Sequence, residues 1–76
     1  VLGHDVKIGD YNVLMPSVRI SGEVVMGDCN FFGVGSIVLQ QLKIKNDTKL
    51  AAGSVLMTKP KEGNVYLGVP AKVLKL

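Results

Sequence analysis

Apolar residues fall on every sixth position of the chain from Leu2 to Leu56: Leu2, Ile8, Leu14, Ile20, Met26, Phe32, Val38, Ile44, Leu50 and Leu56. A period of six belongs neither to a helix, which repeats about every 3.6 residues, nor to a half-buried strand, which alternates. It is the period of a parallel β-helix built from hexapeptides. The expected class is therefore all-β: a single-stranded solenoid of about three coils over residues 1–57.

Three hexads close one triangular coil of about 18 residues, which sorts the anchors into three columns. One holds Leu2, Ile20, Val38 and Leu56; the second Ile8, Met26 and Ile44; the third Leu14, Phe32 and Leu50. Like stacks on like, and no charged residue falls on an inward position. Glycine follows the anchor at Gly3, Gly9, Gly27 and Gly33, with Ser21 and Ala51 as small substitutes. Two residues before the anchor come small or branched side chains: Val6, Val18, Val24, Ser36, Thr48 and Ser54. Both positions read as places where the backbone turns a corner. Met15, Leu39, Lys45 and Met57 depart from the glycine position, which is tolerable where the corner needs no positive φ.

After Leu56 the phase is lost. Residues 58–64 are rich in turn formers, 65–67 read as a short strand, and 58–76 as a whole reads as a loop and capping tail over the solenoid's open end.

Composition narrows the partners. Seventy-six residues make one small domain. A mean hydropathy of +0.33 with 20% charged residues is apolar for a lone small domain, so a face buried between subunits is expected. The net charge of +3 comes from scattered lysines, concentrated only at Lys59, Lys61, Lys72 and Lys75. That end reads either as a solvated basic surface or as a landing point for a phosphate-bearing ligand. Two Tyr, two Phe and no Trp, none interleaved with the lysines, give nucleic-acid binding no support. A lone Cys29 allows no internal disulfide and fits a reducing cytoplasm. No Cys/His pair has metal-ligand spacing, and no apolar run reaches the length of a membrane span. A chain that begins with Val already in phase with the repeat is expected to be a piece of a longer protein.

One constellation could carry chemistry. His4 is the only histidine, and Asp5 follows it. Alone, the pair is weak evidence, since a surface His beside an Asp is usually structural or incidental. Stacking changes the picture, because Gly22 lies eighteen residues after His4 and leaves a notch beneath the imidazole. The same step sets Ala52 beneath Val34 and Gly53 beneath Gly35, leaving a groove of small residues along the prism.

The segments H-D-V-K-I-G-D-Y, P-S-V-R-I-S-G-E-V, F-F-G-V-G-S-I-V, L-A-A-G-S-V-L-M-T-K and V-Y-L-G-V-P-A-K together resemble the C-terminal part of bacterial hexapeptide acyltransferases. The nearest group is the sialic acid O-acetyltransferase and UDP-4-amino-sugar N-acetyltransferase family. The resemblance runs over essentially the whole chain and implies a left-handed β-helix, a homotrimer, and acetyl-CoA lying between neighbouring chains. It carries the family's catalytic histidine onto His4 and its acidic partner onto Asp5. The amide facing the thioester carbonyl maps to Gly22, and the coenzyme contacts to Val34, Ala52, Gly53, Pro70 and Lys72. It further implies a nucleotide-linked amino sugar or a sialic acid as acceptor, and an N-terminal sugar-binding domain that these residues do not contain.

The residue types suit the reaction. An imidazole titrates near neutrality and can take the proton as an amine or hydroxyl attacks the thioester. A carboxylate can fix its tautomer, and a backbone N–H can hold the developing oxyanion. Adjacent strand residues point to opposite faces, so Asp5 can serve His4 only at a corner or through a neighbouring chain. Val13 stands where relatives often carry a second histidine. The alternative is a noncatalytic trimeric scaffold in which His4 is incidental. A zinc solenoid, needing three histidines per site, is poorly served by one.

Overall fold

The computed structural model describes residues 1–74. Eleven short strands follow one another: β1 Lys7–Ile8, β2 Val13–Leu14, β3 Arg19–Ile20, β4 Val25–Met26, β5 Phe31–Phe32, β6 Ile37–Val38, β7 Lys43–Ile44, β8 Lys49–Leu50, β9 Val55–Leu56, β10 Val65–Leu67 and β11 Lys72–Val73. They form three sheets, the walls of a left-handed parallel β-helix. Sheet I is β1-β4-β7, sheet II is β2-β5-β8-β10-β11, and sheet III is β3-β6-β9. Within the coils every pairing is parallel with a step of eighteen, as in Ile8↔Met26, Leu14↔Phe32 and Ile20↔Val38. A bridge from Leu2 to Ile20 extends sheet III by one more coil. The three columns read from the sequence are thus the three walls.

Ile20, Met26, Phe32, Val38, Ile44, Leu50 and Leu56 are all buried. Val18, Val24, Asn30, Ser36, Thr48 and Ser54, each two residues before an anchor, are buried with them. Each large apolar side chain withdrawn from water contributes about 2 kcal/mol. The first coil is more open, with Leu2 and Leu14 exposed at its rim.

The corners carry a correction to the sequence reading. Positive φ recurs every six residues, at Asp5, Tyr11, Ser17, Glu23, Cys29, Gly35, Gln41, Asp47 and Gly53, three residues before the next anchor. The glycine that follows the anchor is not among them, and neither are Met15, Leu39, Lys45 and Met57. That glycine is needed for closeness instead. A Cβ on Gly33 would lie 2.6 Å from the Ala52 nitrogen, and one on Gly27 2.6 Å from the Lys45 carbonyl. A left-handed non-glycine residue costs about 1 kcal/mol. Each corner of the inner coils offsets this with a bond to the coil before: Glu23 N–H to His4 O (2.9 Å), Cys29 to Asp10 (3.0 Å), Gln41 to Gly22 (3.0 Å) and Asp47 to Asp28 (3.1 Å).

The tail re-enters the ladder. Val65 pairs with Lys49 and Tyr66 with Leu50, both parallel, so Tyr66 is the next anchor of sheet II. This coil takes sixteen residues rather than eighteen, with Pro60 buried along the shortcut and the Lys61 N–H donating to Tyr66 Oη (2.7 Å). The chain then reverses, and β11 runs antiparallel to β10. No helix among the described residues is long and apolar enough to cross a membrane.

Candidate functional site

Three edges join the walls. Residues 3–6, 21–24 and 39–42 make the first edge, between sheets III and I; 9–12, 27–30 and 45–48 the second; 15–18, 33–36 and 51–54 the third.

His4 and Asp5 sit on the first edge. Asp5 takes the left-handed conformation (φ 57°), a state that Asp adopts more readily than most residues. The turn brings both side chains to the same side, and His4 Nδ1 lies 3.2 Å from Asp5 Oδ2. Both are largely exposed, at 78% and 81% of their side-chain surface. The corner placement removes the objection that neighbours on a strand diverge.

With Nδ1 turned to the carboxylate, the other ring nitrogen points down the edge. A Cβ built on Gly22 would lie 3.2 Å from His4 Nε2 and 3.3 Å from the His4 carbonyl oxygen. The notch is therefore one missing side chain deep, and Nε2 faces it. Gly22 owes its place to space, since its φ is not positive. Its N–H donates to no acceptor among the described residues. A ring nitrogen thus borders the gap, and the glycine that leaves it has an N–H without an acceptor among the described residues; a base and an oxyanion donor are the groups that acyl transfer requires.

Val34, Ala52 and Gly53 lie together on the third edge. The Gly53 N–H donates to Val34 O (2.9 Å), fixing the two turns one above the other. Val34 and Ala52 likewise have N–H groups free among the described residues, and space is open around the Cβ positions of Gly35 and Gly53. The tail closes this edge from below: Gly68 N–H donates to Ser54 Oγ (3.0 Å) and Ala71 N–H to Val55 O (2.8 Å). That sets Pro70 beside the same edge, with Lys72 opening β11. Lys75 lies outside the described residues.

One chain therefore does not assemble all the named residues. His4, Asp5 and Gly22 line the first edge, Val34, Ala52, Gly53 and Pro70 the third, and sheet III stands between them. Val13 is on the outer face of sheet II and 47% exposed, away from His4. Among the described residues no three His, Cys, Asp or Glu side chains converge as metal ligands. The sequence reading names His4, Asp5 and Gly22 on this edge but not Glu23 and Gln41, which stack below Asp5. The same eighteen-residue step defines both.

No family model matches the sequence. Solved structures do. PerB from Caulobacter crescentus, determined with CoA and GDP-perosamine, superposes with a TM-score of 0.83 at 31% identity over 95% of this chain and 35% of its own. The acetyltransferase domain of PglB from Neisseria gonorrhoeae gives 0.76 at 27% identity, covering 96% of this chain and 33% of that one. Soybean serine acetyltransferase, at 20% identity and a TM-score of 0.78 over 91% of this chain and 40% of its own, shares the fold. The chain spans between a third and two fifths of the length of these proteins. The chain thus has the hexapeptide-repeat β-helix of these acetyltransferases and is similar to them in sequence over most of its own length.

Proposed function

We propose that this chain is the donor-binding and catalytic portion of an acetyl-CoA-dependent acyltransferase. Its acceptor is a nucleotide-linked amino sugar or a sialic acid, acylated on nitrogen or oxygen. The observation that carries the reading is the first-edge geometry: Nδ1 of His4 at 3.2 Å from Asp5, and Nε2 directed over the Gly22 notch.

In this mechanism His4 Nε2 accepts the proton from the attacking amine or hydroxyl. Asp5 holds the Nδ1–H tautomer and stabilises the imidazolium that forms. The Gly22 N–H stabilises the oxyanion of the tetrahedral intermediate, which collapses by expelling the coenzyme thiolate; the imidazolium returns the proton to that sulfur. The small residues of the third edge, Val34, Ala52 and Gly53, with Pro70 and Lys72, hold the coenzyme. CoA with GDP-perosamine in the Caulobacter protein, and acetyl-CoA in the Neisseria domain, support a nucleotide-sugar acceptor and this donor.

Because the two half-sites lie on different edges of one prism, the complete site is formed between chains, the first edge of one copy against the third edge of the next. A homotrimer closes that arrangement by symmetry. Acetyl-CoA as donor and a single cysteine fit a cytoplasmic protein.

The test is thiol release from acetyl-CoA in the presence of nucleotide-linked amino sugars, comparing the protein with its His4→Ala variant. Turnover in the protein that vanishes in the variant is the expected result. Unchanged turnover would sink His4 as the base, and absence of coenzyme binding would leave a scaffold. Assembly is tested by mixing His4→Ala with Ala52→Trp subunits. Activity regained on mixing marks a site shared between chains; none regained places it within one.

A further inference from the structure

The column beside the notch carries a carboxylate that the mechanism above does not use. Glu23 follows Gly22 directly, and its N–H donates to the His4 carbonyl (2.9 Å), which ties its position to that of the base. It is left-handed (φ 60°), as Asp5 is one coil before it and Gln41 one coil after. Gln41 Nε2 donates to Glu23 Oε2 at 3.4 Å, steadying the carboxylate from the next coil.

The charge around it is one-sided. The first edge reads G-H-D-V, S-G-E-V and L-Q-Q-L over 3–6, 21–24 and 39–42, so Asp5 and Glu23 are its only full charges and no Lys or Arg joins them. Glu23 forms no ion pair among the described residues, although the chain as a whole carries +3. Asp5 is occupied by the imidazole; Glu23 has only a long bond from a neutral amide. The carboxylate is exposed, unpaired with any cation among the described residues, and carried by the residue next to the notch.

Resting on the acyl-transfer reading, we infer that Glu23 is a specificity-determining residue for the acceptor. It favours a cationic primary amine over a neutral hydroxyl at the reacting position, and disfavours an acceptor with its own carboxylate nearby. The amine arrives largely as an ammonium, is drawn to Glu23, sheds a proton to solvent and attacks as the free base. His4 then takes the second proton. Gln41 is the positioning residue that holds Glu23 in place. The inference selects the amino sugar over the sialic acid among the acceptors left open above.

The test uses the purified protein with acetyl-CoA and two acceptors, GDP-perosamine and its counterpart bearing a hydroxyl in place of the amine. The protein is expected to prefer the amine. Glu23→Gln is expected to raise KM for the amine about five-fold, the usual size of one exposed charge contact, and to leave kcat and coenzyme affinity unchanged. The hydroxyl acceptor should not respond, so the preference falls by the same factor. Glu23→Asp should recover part of it, and Gln41→Ala should show a smaller loss in the same direction. Gln suits the backbone here, since Gln41 itself is left-handed at φ 64°. Equal changes for both acceptors, or no amine preference in the parent protein, would overturn the role of Glu23. No thiol release with either acceptor would count against the acyl-transfer reading itself and take this inference with it.

Discussion

The first and second edges of the prism have the same backbone turn and opposite uses for it. On the second edge the side chains are occupied with one another's backbone. The Asp10 N–H donates to Asp28 Oδ1 and the Asp28 N–H to Asn46 Oδ1, both at 2.7 Å. Inside the same edge, Asn12 Oδ1 accepts from the Asn30 N–H (2.8 Å), and Asn30 Oδ1 from the Thr48 N–H (2.9 Å). The amides of Asn12 and Asn30 donate onward to the Gly27 and Lys45 carbonyls. On the first edge the matching positions hold His4 and Gly22, whose ring Nε2 and N–H take no hydrogen bond among the described residues. A turn that satisfies its own polar groups holds coils together; one that leaves them free can bind and react.

Substitutions can break this contrast, and His4→Ala should do most. Turnover should fall by about 10² to 10⁴, the usual weight of a general base, with little change in the unfolding midpoint. Next comes Asn30→Ala on the other edge. It strands the buried Thr48 N–H, while the Lys45 carbonyl keeps its bond from the Gly27 N–H, and should cost about 2 kcal/mol in urea unfolding. Turnover per folded molecule should stay constant; a large drop there would erase the division between the edges. Gly22→Ala follows, because the new methyl occupies the notch 3.2 Å from Nε2. It should lower turnover by about ten-fold without loss of stability, given the ordinary φ at that position. The smallest effect belongs to Asp28→Ala. It removes an exposed acceptor from the Asp10 N–H and should destabilise by less than about 1 kcal/mol, with kinetics untouched.

Much of the fold was legible because a period of six admits few structures. The anchors name the walls, and eighteen-residue addition gives the register that Lys7↔Val25 and Ile37↔Val55 display. The corners were less so. Glycine suggests conformational freedom first, yet Gly27 and Gly33 are there because the next coil leaves no room for a Cβ. The left-handed positions hide behind Tyr11, Cys29 and Gln41, which composition does not mark as turn formers. The notch could be read, since a missing side chain beneath His4 follows from addition alone. The separation of His4 from Val34 on different edges depends on following each residue around the triangle. Tyr66 was harder still: a sixteen-residue coil breaks the count, and only the pairing with Leu50 returns it to its column.

That shortened coil bears on how the protein avoids polymerising. Parallel coils stacked about 4.8 Å apart offer the next chain the same template that amyloid uses. At sheet II the template ends in β11, which runs against the grain and opens with Lys72. A further coil arriving in parallel register would meet a reversed strand and a charge instead of a matching ladder. Removing residues 68–74 should therefore turn a prism of fixed length into one that grows end to end, visible as filaments or thioflavin binding.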